Sequence, residues 1–152
     1  MSLFITQKGF DFVNHINDEL LDSVMQQAIV LYKISLQNTR TNIYGESIIK
    51  DYSAGTEINV FIDPEDQETN DSEIGGPDVG QSSVFGFHRD HLSNLSIFPE
   101  IGDIIEWNDT YFEINAVREN TLFGGLTDYS VGIVCDTHMT RRTRLQIEER
   151  FK

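Results

Sequence analysis

The stretch FPEIGDIIEWNDTYFEI, Phe98 to Ile114, decides the fold. Pro99 and Gly102 interrupt the chain ahead of Ile104, Ile105 and Trp107, and Asn108 and Asp109 supply turn chemistry before Thr110, Tyr111, Phe112 and Ile114. That order spells two strands joined by a tight turn. Side chains alternate across a pleat, so Asp103, Ile105 and Trp107 share one face of the first strand, and Ile104 and Glu106 the other. Neither face is purely polar. A hairpin that is apolar on both sides is not stable alone in water, so further strands or a helix must be laid against it.

Working outward, the chain before the hairpin begins with an amphipathic helix expected over residues 17 to 26. Asn14 and Asn17 offer caps, Asp18 and Glu19 suit the positive end of a helix dipole, and Ile16, Leu20, Leu21, Val24 and Met25 fall at helical spacing. From Gln27 the pattern changes to alternation, with Val30, Tyr32, Ile34 and Leu36 on one parity, which predicts a strand. A helix continuing through Tyr32 is the alternative, since Ala28, Ile29 and Leu31 also suit one. Asn38 to Ser47 is rich in turn formers and is expected to wrap a barrel end with Ile43 and Tyr44 tucked in. A strand over Thr56 to Ile62 follows. Asp63 to Gly80 then carries Asp63, Glu65, Asp66, Glu68, Asp71, Glu73 and Asp78 without a base, and reads as an exposed, mobile acidic loop. Val84 to Phe87 reads as a short strand and Asp90 to Asn94 as one helical turn.

Beyond the hairpin, Asn115 to Val117 extends its second strand, Leu122 to Asp128 is a turn-rich connection, and Ser130 to Asp136 is a final clear strand. From Thr140 onward Arg141, Arg142, Arg144, Arg150 and Lys152 form a basic tail, holding five of the chain's 11 bases. No repeat and no linker divides the 152 residues. The expected fold is a single mainly β domain, a small barrel or sandwich of about six strands with one N-terminal helix, a long acidic loop at 63–80 and a basic tail at 140–152.

Charge narrows the function classes. With 25 acids against 11 bases the formal net charge is −14, opposite in sign to what neutralises nucleic-acid phosphates. Wrapping DNA is disfavoured, whereas an acidic wall past which DNA slides without sticking fits the same charge. The single cysteine, Cys135, permits no intramolecular disulfide. The N-terminal MSLFITQKGFDF lacks the features of a secretory signal, and no apolar run is long enough to span a bilayer; a soluble chain made in the cytoplasm is expected.

The search for chemistry yields little. His88 with His91 and Cys135 with His138 offer the four nitrogen and sulfur ligands zinc prefers, but alternation on a strand points Cys135 and His138 to opposite faces, so the set is a weak candidate. The acidic segment lacks the ligand order of a calcium loop and reads as a solvated charge run. No GxSxG elbow is present, and Gly75-Gly76-Pro77 and Gly124-Gly125 match no phosphate cradle. Trp107, Tyr111 and Phe112 are more readily core than a stacking platform, since no bases interleave them. No catalytic residue and no cofactor is expected.

Three segments, in order, resemble the neck or head-completion proteins of T4-like tailed bacteriophages: LYKISLQNTRTNIYGES (Leu31 to Ser47), PEIGDIIEWNDTYFEI (Pro99 to Ile114) and LFGGLTDYS (Leu122 to Ser130). TNIYGES is the most specific piece. The resemblance implies a structural virion protein, without catalytic residues, that joins a packaged head to a tail. It would assemble as a ring below the portal, with a portal or adaptor protein above and a tail terminator or tail completion protein below. It would provide the tail docking surface and let DNA pass without specific binding and without a membrane. Localisation at the head-tail junction of the virion, after synthesis in the host cytoplasm, follows from the same resemblance. Arg141, Arg142 and Arg144 on one side, and Asp66, Glu68 and Asp71 on the other, are the expected contacts between neighbouring subunits. The alternative is a small zinc-binding or adaptor β domain.

Overall fold

A computed structural model describes residues 7–35, 40–41, 47–72, 76–121, 130–140 and 145–147. Helix α1 (Gln7–Glu19) runs into a π-helical segment, Leu20–Met25, and stops at Gln26, whose left-handed backbone (φ 48°) lets its N–H reach the Leu21 carbonyl. Ten strands follow: β1 (Ala28–Tyr32), β2 (Arg40–Thr41), β3 (Ser47–Tyr52), β4 (Thr56–Asn59), β5 (Phe61–Ser72), β6 (Gly76–His88), β7 (Ile104–Trp107), β8 (Thr110–Thr121), β9 (Ser130–Thr140) and β10 (Leu145–Ile147). The short helix α2 (Arg89–Leu95) sits between β6 and β7.

Seven strands form one antiparallel sheet in the order β4-β1-β7-β8-β9-β6-β5; β10, β3 and β2 form a second, three-stranded sheet. The mainly β architecture is the expected one, with a sandwich-like second layer in place of a closed barrel. The large sheet's two outer strands, β4 and β5, are consecutive in the chain with only Val60 between them. Val60 is fully buried and donates its N–H to the Gln27 carbonyl at 2.9 Å, so one bent run of chain supplies both edges.

The hairpin forms as the sequence predicts. Asn108 and Asp109 both take positive φ (49° and 59°), the conformation that matches strand twist in a two-residue turn and that Asn and Asp tolerate. Both faces of β7 are then covered. Ile105 joins the main core with Ile29, Leu31, Phe85, Phe87 and Phe112, while Ile104 lies in a second cluster with Tyr32, Tyr52 and Tyr111. Tyr52 comes from β3, so the small sheet supplies the layer the hairpin requires. Phe85 stands edge-on to both Phe112 and Trp107, an arrangement favoured by the ring quadrupoles.

Several boundaries differ from the expected ones. The helix begins ten residues earlier, so Asn14 and Asn17 lie inside it and are not caps. The chain after Gln26 is strand β1, without continued helix. Strand β3, unforeseen, arises because Ser35 N–H donates to the Asp51 carbonyl and Ser53 N–H to the Lys33 carbonyl, zipping it to the extension of β1.

The largest correction concerns the acidic segment. Asp63 to Ser72 and Gly76 to Gly80 are strand, with residues 73–75 outside the described residues: β5 and β6 pair antiparallel from Phe61↔Gly86 to Ser72↔Gly76, with Glu65 and Asp66 bulged against Ser82. Backbone pairing is indifferent to side-chain charge, so a run of acids does not bar a strand. Because β9 begins to pair with β6 only at Ser82, the distal part of this ribbon pairs with nothing else among the described residues. The turn residues 42–46 and 122–129 and the tail residues 141–144 and 148–152 lie outside the described residues.

Candidate functional site

The described parts of two of the three segments that carry the sequence resemblance, Leu31 to Ser35 and Pro99 to Ile114, meet in space. Leu31 and Tyr32 of β1 register with Ile105 and Ile104 of β7. Just past β1, the Lys33 ammonium reaches Asp103 Oδ2 (2.7 Å), Glu100 Oε2 (2.8 Å) and the Phe98 carbonyl (2.7 Å). Asp103, fully buried, also accepts from the Ile34 N–H on Oδ1 (2.9 Å) and from the Glu100 N–H on Oδ2 (2.8 Å). A buried carboxylate with three donors is a structural lock, since its charge is compensated and both oxygens are satisfied. Tyr32 Oη donates to Glu106 beside it.

A second polar cluster lies where the N-terminal helix crosses the end of β6. Asn14, Asp18 and Asp22, spaced by four, form one row along the helix. Asn14 Nδ2 donates to Asp90 Oδ2 at 3.2 Å. Asp18 Oδ1 lies 3.2 Å from His88 Nδ1 and 2.8 Å from His91 Nε2. Asp22 Oδ2 is 3.4 Å from His91 Nε2, while its Oδ1 accepts from Asn59 Nδ2 at 2.9 Å. His88 closes β6 and enters α2 with extended backbone (φ −76°, ψ 131°); His91, one turn on, meets it edge-on at 5.3 Å between ring centroids. Beside this cluster a mainly apolar cavity of about 360 Å³ lies between the π-helical segment and the sheet, lined by residues including Leu20, Leu21, Met25, Phe87, His88 and Val131.

The third feature is apolar. Phe12, Ile16, Leu20 and Val24 recur every fourth residue along the helix and its π-helical end, and are 64%, 44%, 43% and 70% exposed. No residue of α1 is buried. Single exposed apolar side chains need no explanation, but four in a row form a stripe of the kind that covers another surface.

Of the four metal-ligand candidates read from sequence, the structure brings together only His88 and His91. Cys135 is buried in the main core opposite Phe85, and His138, opposite Ser82, is exposed. Alternation along β9 separates that pair, and neither reaches the histidines. The partner that sequence reasoning missed is Asp18. Its only signal was the four-residue spacing with Asn14 and Asp22, which is as common on solvated helix faces as in sites. Asp66, Glu68 and Asp71 are placed on β5 by backbone alone; Arg141, Arg142 and Arg144 lie outside the described residues. Among the described residues no helix is long and apolar enough to cross a membrane. No family model matches the chain, and no curated protein matches it.

Proposed function

We propose that the chain is a structural subunit of a tailed-phage neck, a head-completion or head-tail connector protein. It assembles with copies of itself as a ring below the portal and offers the surface on which the tail docks. A portal or adaptor protein would lie above it and a tail terminator or tail completion protein below. The observation that carries the reading is the exposed stripe Phe12, Ile16, Leu20 and Val24, which gives a protein of net charge −14 an apolar surface on which neighbours can associate despite mutual repulsion.

Two further features support it. The residues of the phage-neck resemblance that are described here, Lys33 and Asp103 among them, build a lock that holds β1 to β7. The overall acidity suits a conduit through which DNA passes without being held. Electron microscopy of particles assembled with and without the protein tests the proposal. Filled heads lacking tails in its absence, and ring density at the junction in its presence, are expected. Normal joining of heads to tails without it would rule the reading out.

A further inference from the structure

We infer that Asp18, His88 and His91 form a binding site for one divalent transition-metal ion, which clasps the N-terminal helix to the end of β6. The inference is independent of the neck assignment and concerns how the helix carrying the apolar stripe is held.

Three donor atoms, Asp18 Oδ1, His88 Nδ1 and His91 Nε2, lie within 4.8 Å of one another. For metal-ligand bonds of about 2.0–2.2 Å, neighbouring ligands around one ion stand about 3.0–3.4 Å apart. The two contacts to Asp18 Oδ1, 3.2 and 2.8 Å, are close to such an edge. They are not hydrogen bonds: Asp18 Oδ1 and His88 Nδ1 have no hydrogen-bond partner although they lie near each other. A hydrogen bond aims the nitrogen at the oxygen. Coordination aims the nitrogen at a point between the ligands, which leaves neighbouring ligand atoms near but misaligned, as here.

His88 supplies the independent observation. It is 3% exposed, and neither ring nitrogen has a hydrogen-bond partner. Burying an imidazole with both nitrogens unmet is unfavourable, and a metal on Nδ1 relieves it.

Charge and packing agree. Two neutral imidazoles with Asp18 and the nearby Asp22 leave two negative charges, which a divalent ion balances. Two nitrogens and a carboxylate favour zinc or iron-type ions over calcium or magnesium, which prefer oxygen alone. Helix α1 has no fully buried residue, Phe10 and Val13 being only partly buried, and a clasp between residue 18 and residues 88 and 91 adds to its attachment. The π-helical segment begins two residues after Asp18, in keeping with the frequent placement of such distortions at functional sites.

The test is titration of the full chain, stripped with a chelator, with Zn²⁺ by calorimetry and with Co²⁺ by visible absorption. One ion per chain and a raised unfolding temperature are expected. Asp18→Asn and His91→Gln should keep the metal-free circular dichroism of the parent and weaken binding by at least about a hundredfold, more than an outer-shell change usually produces. The double variant Cys135→Ser with His138→Gln should bind as the parent does. Failure of the stripped parent to bind one ion saturably overturns the inference, as does parental affinity in Asp18→Asn. Loss of binding in the Cys135 and His138 variant alone would assign the ion elsewhere. Should His91→Gln not fold, the parent titration and Asp18→Asn, whose side chain is 40% exposed, still decide.

Discussion

Lys33 Nζ lies 2.7 Å from Oδ2 of Asp103, an ammonium reaching in from the surface to a carboxylate with no exposure of its own. Removing one member of such a pair strands a buried charge. Lys33→Met should therefore destabilise the protein by about 2–4 kcal/mol. Lys50→Met, which breaks the more exposed pair with Glu113, should cost no more than about 1 kcal/mol. Urea denaturation measures both. A Lys33→Met midpoint indistinguishable from the parent's would show that Asp103 is adequately held by backbone donors alone.

The apolar stripe predicts a separation of folding from assembly. Phe12→Ser with Val24→Ser changes two of the most exposed apolar side chains, so monomer stability should shift by less than about 0.5 kcal/mol. Self-association, read by sedimentation or light scattering, should fall at least tenfold. Unchanged association would remove the stripe from the interface.

The basic tail makes a salt-dependent prediction. Replacing Arg141, Arg142 and Arg144 with Gln should weaken association at low ionic strength, where attraction to acidic ribbons on neighbours is strong. The gap from the parent should close as salt rises and screens the attraction. Equal association of parent and variant in dilute buffer would leave these arginines without a role in assembly.

Cys135 predicts alkaline sensitivity. Burial, with smaller contributions from Asp103 and Asp136, pushes the thiol up from 9.0 to about 12. An unfolded chain ionises this group above its ordinary value while the folded chain keeps it protonated. Its contribution to stability is therefore complete below about pH 9 and lost as pH rises toward 12, by about 1.4 kcal/mol per unit within that window. Tyr52, raised by burial first and then by Glu113 and Asp103, adds in the same direction. Cys135→Ala should flatten part of this slope in thermal unfolding measured against pH. Fast iodoacetamide modification of the folded parent at pH 8 would contradict the burial on which the argument rests.

The hairpin was legible because its turn chemistry and its two apolar faces are local properties of Phe98 to Ile114. Strand β3 was not. Ser47 to Tyr52 mixes Lys50 and Asp51 with apolar residues and becomes a strand through partners on the extension of β1, which no local pattern reveals. The acidic ribbon was misread for a related reason: composition reports what a segment can bury, whereas β5 is held by backbone hydrogen bonds to β6 and needs little burial. At the polar cluster His88-x-x-His91 was visible. Its carboxylate partner comes from a helix seventy residues earlier, and Cys135 fails as a partner because it registers with Phe85, while His88 registers with Gly132.

That register makes glycine necessary at 132. A Cβ there would lie 2.4 Å from the Phe87 carbonyl oxygen, a backbone atom that can move only if β6 moves. Gly132→Ala should destabilise the protein by about 1–3 kcal/mol, read by urea denaturation, and displace His88 from Asp18. A neutral effect on both stability and metal affinity would mean that the strands separate there at little energetic cost.

Strand β9 lies between β8 and β6 in space, yet among the seven strands of the large sheet it is the last to be synthesised. On the ribosome, β4, β1, β7 and β8 can pair into one partial sheet and β5 with β6 into another, joined by the chain through Val60, with a raw edge on each. Every nascent chain therefore carries two open templates until residues 130–140 emerge, and a truncation before that point leaves them open permanently. Acids at Asp63, Glu65, Asp66, Glu68 and Asp71 lie on β5, the ribbon's other edge, which stays unpaired in the finished sheet, so the composition that disguises a strand also makes that lasting edge a poor template for a neighbouring chain.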